Sequence, residues 1–269
     1  MEELVEALRA RNIILFVGSG VSSSLGLPSF AGLITEMAKE LGYDADIFAT
    51  YGPFPVLAEY YAITRGSLDP LRSRMDLDWH GEGRLVENST VHRLIVDLGF
   101  PIVYTTNYDR WLEKAFDHYG KRYVKIAQLG DLIKVRDGLT QIVKFHGDFD
   151  DDSSIVLTES SYHARLNFES FLDLKLQADS LARTILFIFI GYSLTDINIR
   201  YLLFRLQRLW ECSGYIAKRP KSYLYLDKPN AVQQQVWRAR GVETIVSTRD
   251  DAGEGLKLFL EDLGRKTAA

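Results

Sequence analysis

Four short apolar runs restrict the architectures open to this chain. Asn12-Ile13-Ile14-Leu15-Phe16-Val17, Phe100-Pro101-Ile102-Val103-Tyr104-Thr105, Thr184 to Ile190 and Ser222-Tyr223-Leu224-Tyr225-Leu226-Asp227 are nearly continuous in apolar side chains. A strand with no polar face must be covered on both sides, which is the situation of strands in a parallel sheet between helical layers. Between these runs the period becomes helical. Leu4, Val5 and Leu8 form a stripe in residues 2–11, and Leu33, Ile34, Met37, Ala38 and Leu41 another in 31–41, ended by Gly42. Asn88-Ser89-Thr90 caps a helix over 91–98 that Gly99 closes, and further helices are predicted at 110–116, 197–211, 231–240 and 252–263, with 242–246 as the last strand. The alternation predicts an α/β fold, a doubly wound, mostly parallel Rossmann-like sheet of five or so core strands.

Composition sets the outer limits. With 269 residues, 46% apolar and 25% charged, the chain is an ordinary globular one that can bury a large core, and it is expected to form a single domain over 1–269. Its net charge of −4 comes without a Lys/Arg cluster, so no direct nucleic-acid binding is expected. The single cysteine, Cys212, excludes an internal disulfide and a four-thiolate zinc site. The longest apolar run, Ile185 to Ile190, is far short of a membrane span, and a cytoplasmic protein with no membrane contact is expected. From about 43 to 98 strand character disappears. Phe54–Thr64 and Leu68–Met75 read as helices and Asp76–Gly83 as a polar loop, so a helical insertion forming a smaller lobe is predicted, either a lid over a ligand or a structural cap. His80 and His92 fall in this region and read as surface or capping residues.

The chemistry-bearing residues stand where the strands end. Gly18-Ser19-Gly20-Val21-Ser22 follows the first apolar run and precedes a helix; such a turn lets a pyrophosphate approach backbone N–H groups at the positive end of a helix dipole. Gly18, Ser19, Gly20 and Ser22 are therefore expected to hold nucleotide phosphates. The dehydrogenase fingerprint fails, because the next glycine is Gly26 and no second strand with a terminal acid follows, and a P-loop fails for want of Gly-Lys-Ser/Thr. The second run delivers Thr105-Thr106-Asn107-Tyr108-Asp109, in which Asn107 and Asp109 either face a ligand or cap the next helix. Residues 122–145 alternate, with strands read at 123–126, 132–135 and 141–145 and a hairpin at Asp137-Gly138. The last of these presents His146-Gly147-Asp148. An imidazole at a strand end, with an acid beside it for orientation, suits a general base. Ser154–Leu157 reads as a short strand. Gly191-Tyr192-Ser193 forms a second Gly/Ser turn, expected near the adenosine half of a nucleotide, and Asp227 ends its strand where a ribose diol could be held.

Taken in order, Gly18-Ser19-Gly20-Val21-Ser22, Gly26-Leu27-Pro28-Ser29-Phe30, Thr106-Asn107-Tyr108-Asp109, His146-Gly147 and Gly191-Tyr192-Ser193 resemble the motifs of sirtuin-like proteins. The resemblance implies NAD as the ligand, with its phosphates at the first motif, Pro28, Phe30 and Thr105 among the binding residues, and Asn107 and Asp109 by the nicotinamide ribose and carboxamide. It makes His146 the general base and sets Gly191, Tyr192 and Ser193 at the adenosine ribose. Where sirtuin deacylases usually carry Ala, Arg and Gln, this chain has Ser19, Ala31 and Thr106, and it lacks their four-cysteine zinc module. That combination is similar to the zinc-less bacterial sirtuin-like effectors of antiphage defence. It implies a metal-free NAD glycohydrolase that yields nicotinamide and ADP-ribose, a homo-oligomer, and a HerA-type ATPase or Argonaute-type partner. A NAD-dependent lysine deacylase and a non-catalytic NAD or ADP-ribose-binding subunit remain the alternatives.

Overall fold

Among the described residues, seven parallel strands form one sheet: β1 (Ile13–Val17), β2 (Ile102–Thr105), β3 (Tyr123–Ile126), β4 (Thr140–Lys144), β5 (Thr184–Ile188), β6 (Ser222–Leu226) and β7 (Val242–Val246), in the order β3-β4-β2-β1-β5-β6-β7. The computed structural model describes residues 1–28, 30–81, 83–151, 154–189 and 196–269, and at 23, 24 and 30 the backbone alone. Leu15 of β1 stands opposite Val103 of β2 on one side and Leu186 of β5 on the other.

The pleat of β1 divides the core in two. Ile13, Leu15 and Val17 join a cluster with α1 (Glu2–Arg9), α6 (Thr90–Leu98), α7 (Trp111–His118) and α12 (Ala252–Ala268). Ile14 and Phe16 join the opposite cluster, with α9 (Phe171–Ala182), α10 (Ile197–Ser213) and α11 (Ala231–Ala239). All five β1 side chains are fully buried, each contributing about 1.5–3 kcal/mol relative to exposure, so the doubly covered sheet predicted from the apolar runs is what forms.

Between β1 and β2, α2 (Phe30–Leu41), α3 (Ala45–Ala49), α4 (Phe54–Arg65) and α5 (Asp69–His80) close around a third cluster that includes Met37, Phe48, Leu57, Tyr61, Leu71 and Trp79. Tyr108 and Phe149, from the loops after β2 and β4, pack into it, which ties this lobe to the edge of the sheet. α5 runs further than the sequence suggests, through most of the expected polar loop. Its last turn is held from outside: Trp79 is buried, His80 Nδ1 lies 2.8 Å from Asp76 Oδ1, and the Arg110 guanidinium pairs with Asp76 at 2.7 Å.

The hairpin expected at Asp137-Gly138 does not form. β3 and β4 are parallel, with Val124 opposite Gln141, and the connection between them contains a 3-10 helix at Leu129–Lys134 where a strand was expected. Gly138 does turn the chain, at φ +82°, but β4 pairs in parallel with β2 (Val103 opposite Ile142), and the crossover follows from that pairing. The short strand expected at Ser154–Leu157 is also absent; the Val156 amide donates to the His146 carbonyl instead, at 2.9 Å.

Candidate active site

Sheet order reverses at β1, with β2, β4 and β3 on one side and β5 to β7 on the other. The crevice beyond the carboxyl ends of strands at such a reversal is where open α/β sheets bind ligands. Backbone pairing continues one residue past the strands. The Gly18 amide donates to Ile188 O (3.1 Å), that of Thr106 to Val17 O (3.2 Å) and that of Phe145 to Thr105 O (2.8 Å), so β1, β2, β4 and β5 end side by side. Their ends border a cavity of about 400 Å³, into which β1 sends Gly18 and Ser19, β2 Thr106, β4 His146 and β5 Phe189, while Asp196 enters from the start of α10. Pro53-Phe54-Pro55 at the start of α4 and Glu159, Tyr162 and His163 of α8 (Glu159–Ala164) complete its wall. A smaller cavity of about 30 Å³ shares Ser19 and Thr106 with the first and is lined by Pro28, Trp79, Asn107 and Asp109. The predicted asparagine and histidine therefore face adjoining compartments.

Asn107 and Asp109 are held through Ser22. Asp109 is 4% exposed; its Oδ1 accepts the Trp111 amide at 3.0 Å and its Oδ2 accepts the Ser22 hydroxyl at 3.0 Å. With its proton committed to a carboxylate, Ser22 Oγ can only accept from Asn107, whose Nδ2 lies 3.4 Å away. The Asn107 amide is thereby set with its oxygen free, and that buried oxygen has no partner among the described residues. Ser22 is 1% exposed and lines neither cavity, so it lies beneath Gly18 and Ser19 as a connector. Thr105 is fully buried and accepts the Asn107 amide on Oγ1 at 3.0 Å, leaving Thr106 to line the site.

His146 leaves β4 at Gly147, where φ is +100° and an added Cβ would press on the backbone of Ser154 and Ile155. Only glycine serves at that bend. The ring stacks on Phe145 at 5.5 Å and meets the edge of Tyr162 at 5.4 Å. Burial pushes its pKa down to about 4, so the imidazole is neutral at pH 7 and able to accept a proton. The carboxylate beside it is not the one sequence order suggests. Asp148, fully buried, pairs with Lys125 at 2.7 Å, while Asp196 Oδ2 lies 3.1 Å from His146 Nε2. Asp196 was missed; its only signal was a cap-forming acid just before the helical spacing resumes at Ile197.

Lys144 was missed as well, although a lysine inside the run Ile142-Val143-Lys144-Phe145 signals a buried partner. It is 0% exposed, its Nζ donates to the carbonyls of Tyr108 and Asp109, and Glu113 Oε1 is 3.3 Å away, so it supports the Asn107 loop from below. Gly18 is needed for packing, since a Cβ there would lie 2.5 Å from the Phe189 ring. Gly20 stands in the 3-10 helix at Ser19–Leu25. Asp227 follows β6 and lines neither cavity. His92, expected at the surface or as a cap, is fully buried with Nδ1 2.7 Å from Ser89 Oγ. Gly191, Tyr192, Ser193 and the side chain of Phe30 lie outside the described residues.

Known proteins resemble this chain in sequence. The NAD(+) hydrolase ThsA of Cytobacillus dafuensis is 30% identical over 221 residues, covering 80% of this chain and 42% of that protein. The NAD(+) hydrolase ThsA of Enterococcus faecium is 31% identical over 206 residues, covering 74% of this chain and 40% of that one. Defense-associated sirtuin 2 of Bacillus subtilis is 28% identical over 217 residues, covering 76% of this chain and 20% of that one. This chain thus spans about two fifths of the length of the ThsA relatives it matches. A family model described as SIR2-like domain matches residues 101–245, more than half of the chain, from the start of the second apolar run to the last strand. That span carries Asn107 and Asp109 just past β2, His146 just past β4 and Asp196 at the start of α10, and the chain belongs to the SIR2-like domain family.

Proposed function

We propose that this chain is a NAD+ glycohydrolase, an effector of bacterial antiphage defence that cleaves NAD to nicotinamide and ADP-ribose. The observation that carries this is the meeting of an Asn107 oxygen with no partner among the described residues and a neutral, buried His146 on adjoining compartments at the sheet reversal. The names of the ThsA relatives support the substrate. The donor set fits it. A mainly apolar cleft with a few convergent polar groups is what a nucleotide requires, and Asn107 Oδ1 can accept from a ribose hydroxyl or a water.

Nicotinamide in NAD is already cationic. Breaking the C1′–N bond returns the bonding pair to the ring nitrogen, giving a neutral leaving group and an oxocarbenium-like ribose. The protein must then hold that ribose and a water. Asn107 Oδ1 orients the water or hydroxyl, the water oxygen bonds to C1′, and His146 takes the displaced proton. Ser19 and the backbone of the turn after β1 face the phosphates, and Asp109 contributes on the nicotinamide side.

Incubation of purified protein with NAD, with chromatography of the products, tests this. Asn107→Ala and His146→Ala should each abolish NAD loss with melting curves close to wild type, and full activity in either variant refutes the assignment. Release of nicotinamide only in the presence of an acylated peptide would assign a deacylase. Consumption of NAD in the cytoplasm needs restraint, so the proposal includes self-association or a HerA-type or Argonaute-type partner. A fully active monomer in gel filtration contradicts that part.

A further inference from the structure

We infer that Asp196 is the positioning residue for His146: its carboxylate holds the Nε2 proton and turns the Nδ1 lone pair toward the ligand. This rests on the proposed hydrolysis and names a residue for it. Asp196 has two separable duties. Its Oδ1 accepts the Ile199 amide at 3.0 Å and caps α10, while its Oδ2 stands 3.1 Å from His146 Nε2, the two side chains being 8% and 3% exposed. The approach is off the line of a good hydrogen bond, and Nε2 counts as a buried atom without a hydrogen-bonding partner among the described residues. Catalytic hydrogen bonds in ligand-free sites are often misaligned in this way and tighten when the ligand binds.

The chemistry follows from the pairing. An imidazole has one N–H and one lone pair when neutral, and a carboxylate near one nitrogen draws the proton to that side. Nε2 then keeps its proton facing Asp196, and Nδ1 takes the one leaving the water or ribose hydroxyl. The resulting imidazolium is stabilised by the Asp196 charge, as in other carboxylate-oriented histidine bases. Arg165 and Asp173, the other charged groups acting on the ring, cannot substitute. Arg165 donates to the Phe145 carbonyl, pairs with Asp173 and opposes a charged ring; Asp173 is occupied by Arg165; Glu159, Tyr162 and His163 reach the cavity from α8. Capping fixes Asp196 in place, so helix α10 sets the carboxylate and strand β4 sets the ring.

Asp196→Asn separates the two duties, because an asparagine oxygen still caps the helix while the charge is gone. The expected result is a loss of about 100-fold in kcat for NAD hydrolysis with KM within twofold and an unchanged melting temperature. In the same variant, the His146 imidazole followed by NMR should titrate at lower pH than in wild type. Wild-type kcat, or an unmoved His146 titration, overturns the proposal. If wild-type protein does not cleave NAD at all, the hydrolase assignment falls, and the titration alone still decides whether Asp196 governs His146.

Discussion

Asp109→Asn should reverse the relay through Ser22 with almost no change in volume. The new side chain still offers an oxygen to the Trp111 amide, but an amide nitrogen now takes the place of Oδ2 and must donate to Ser22 Oγ. Ser22 then turns its proton toward Asn107, whose amide rotates and presents Nδ2 to the cavity in place of Oδ1. The number of hydrogen bonds is preserved and only the charge assistance is lost, a cost of about 1 kcal/mol, or roughly 2–4 °C in melting temperature for a chain of this size. Turnover suffers far more, because a donor faces the water or hydroxyl that needs an acceptor. Misplacing one oriented polar group costs about 3 kcal/mol in the transition state, on the order of 100-fold in kcat. Ser22→Ala should lose a similar factor, and the double variant should be no worse than the poorer single one, since both act through Asn107. Steady-state kinetics on the three proteins checks this. If Asp109→Asn is crippled while Ser22→Ala turns over normally, Asp109 acts by direct contact and the relay argument is wrong.

Acid should destabilise the fold through two histidines. Burial holds His92 and His146 at about 4 against an ordinary 6.5, so below pH 6.5 the unfolded chain binds protons the folded one refuses. Stability is full above pH 6.5 and falls toward pH 4, by about 2 kcal/mol per histidine at pH 5 at 1.36 kcal/mol per unit. Melting temperatures of wild type and His92→Gln between pH 7 and 5 should show the variant with about half the slope, and a flat wild-type curve contradicts the prediction. Gly18→Ala should cost about 1–3 kcal/mol by driving a methyl into the Phe189 ring, and Phe189→Leu should recover part of it. Equal melting temperatures for Gly18→Ala and wild type would show that the ring moves aside freely.

The parts of the fold legible in the sequence were those whose signal is local. β1, β2, β5 and β6 appear as continuous apolar runs because parallel strands are buried on both faces, and α6 announces itself through the Ser89 cap and Gly99. The crossover from β3 to β4 was misread because Asp-Gly fixes only a turn; the direction of β4 is decided by its pairing with β2, forty residues away in sequence. α5 outran its apolar stripe because Asp76 and His80 find Arg110 across the lobe boundary, a contact no window of sequence contains. At the site, Asn107, Asp109 and His146 could be chosen because strand ends present side chains to a ligand. Their neighbours could not: Asp148 is adjacent in sequence but serves Lys125, and Asp196 is fifty residues distant yet meets the imidazole.

Gly147 carries a cost for how such a protein can diversify. Because the main chain doubles back right after His146 with Ile155 Cα only 2.8 Å from where a side chain would begin, the imidazole is delivered by the backbone itself. Exposed residues nearby, such as Glu159 or His163, can be exchanged to suit another ligand. The bend cannot, so any lineage that keeps His146 in this place has a single viable amino acid at the position behind it.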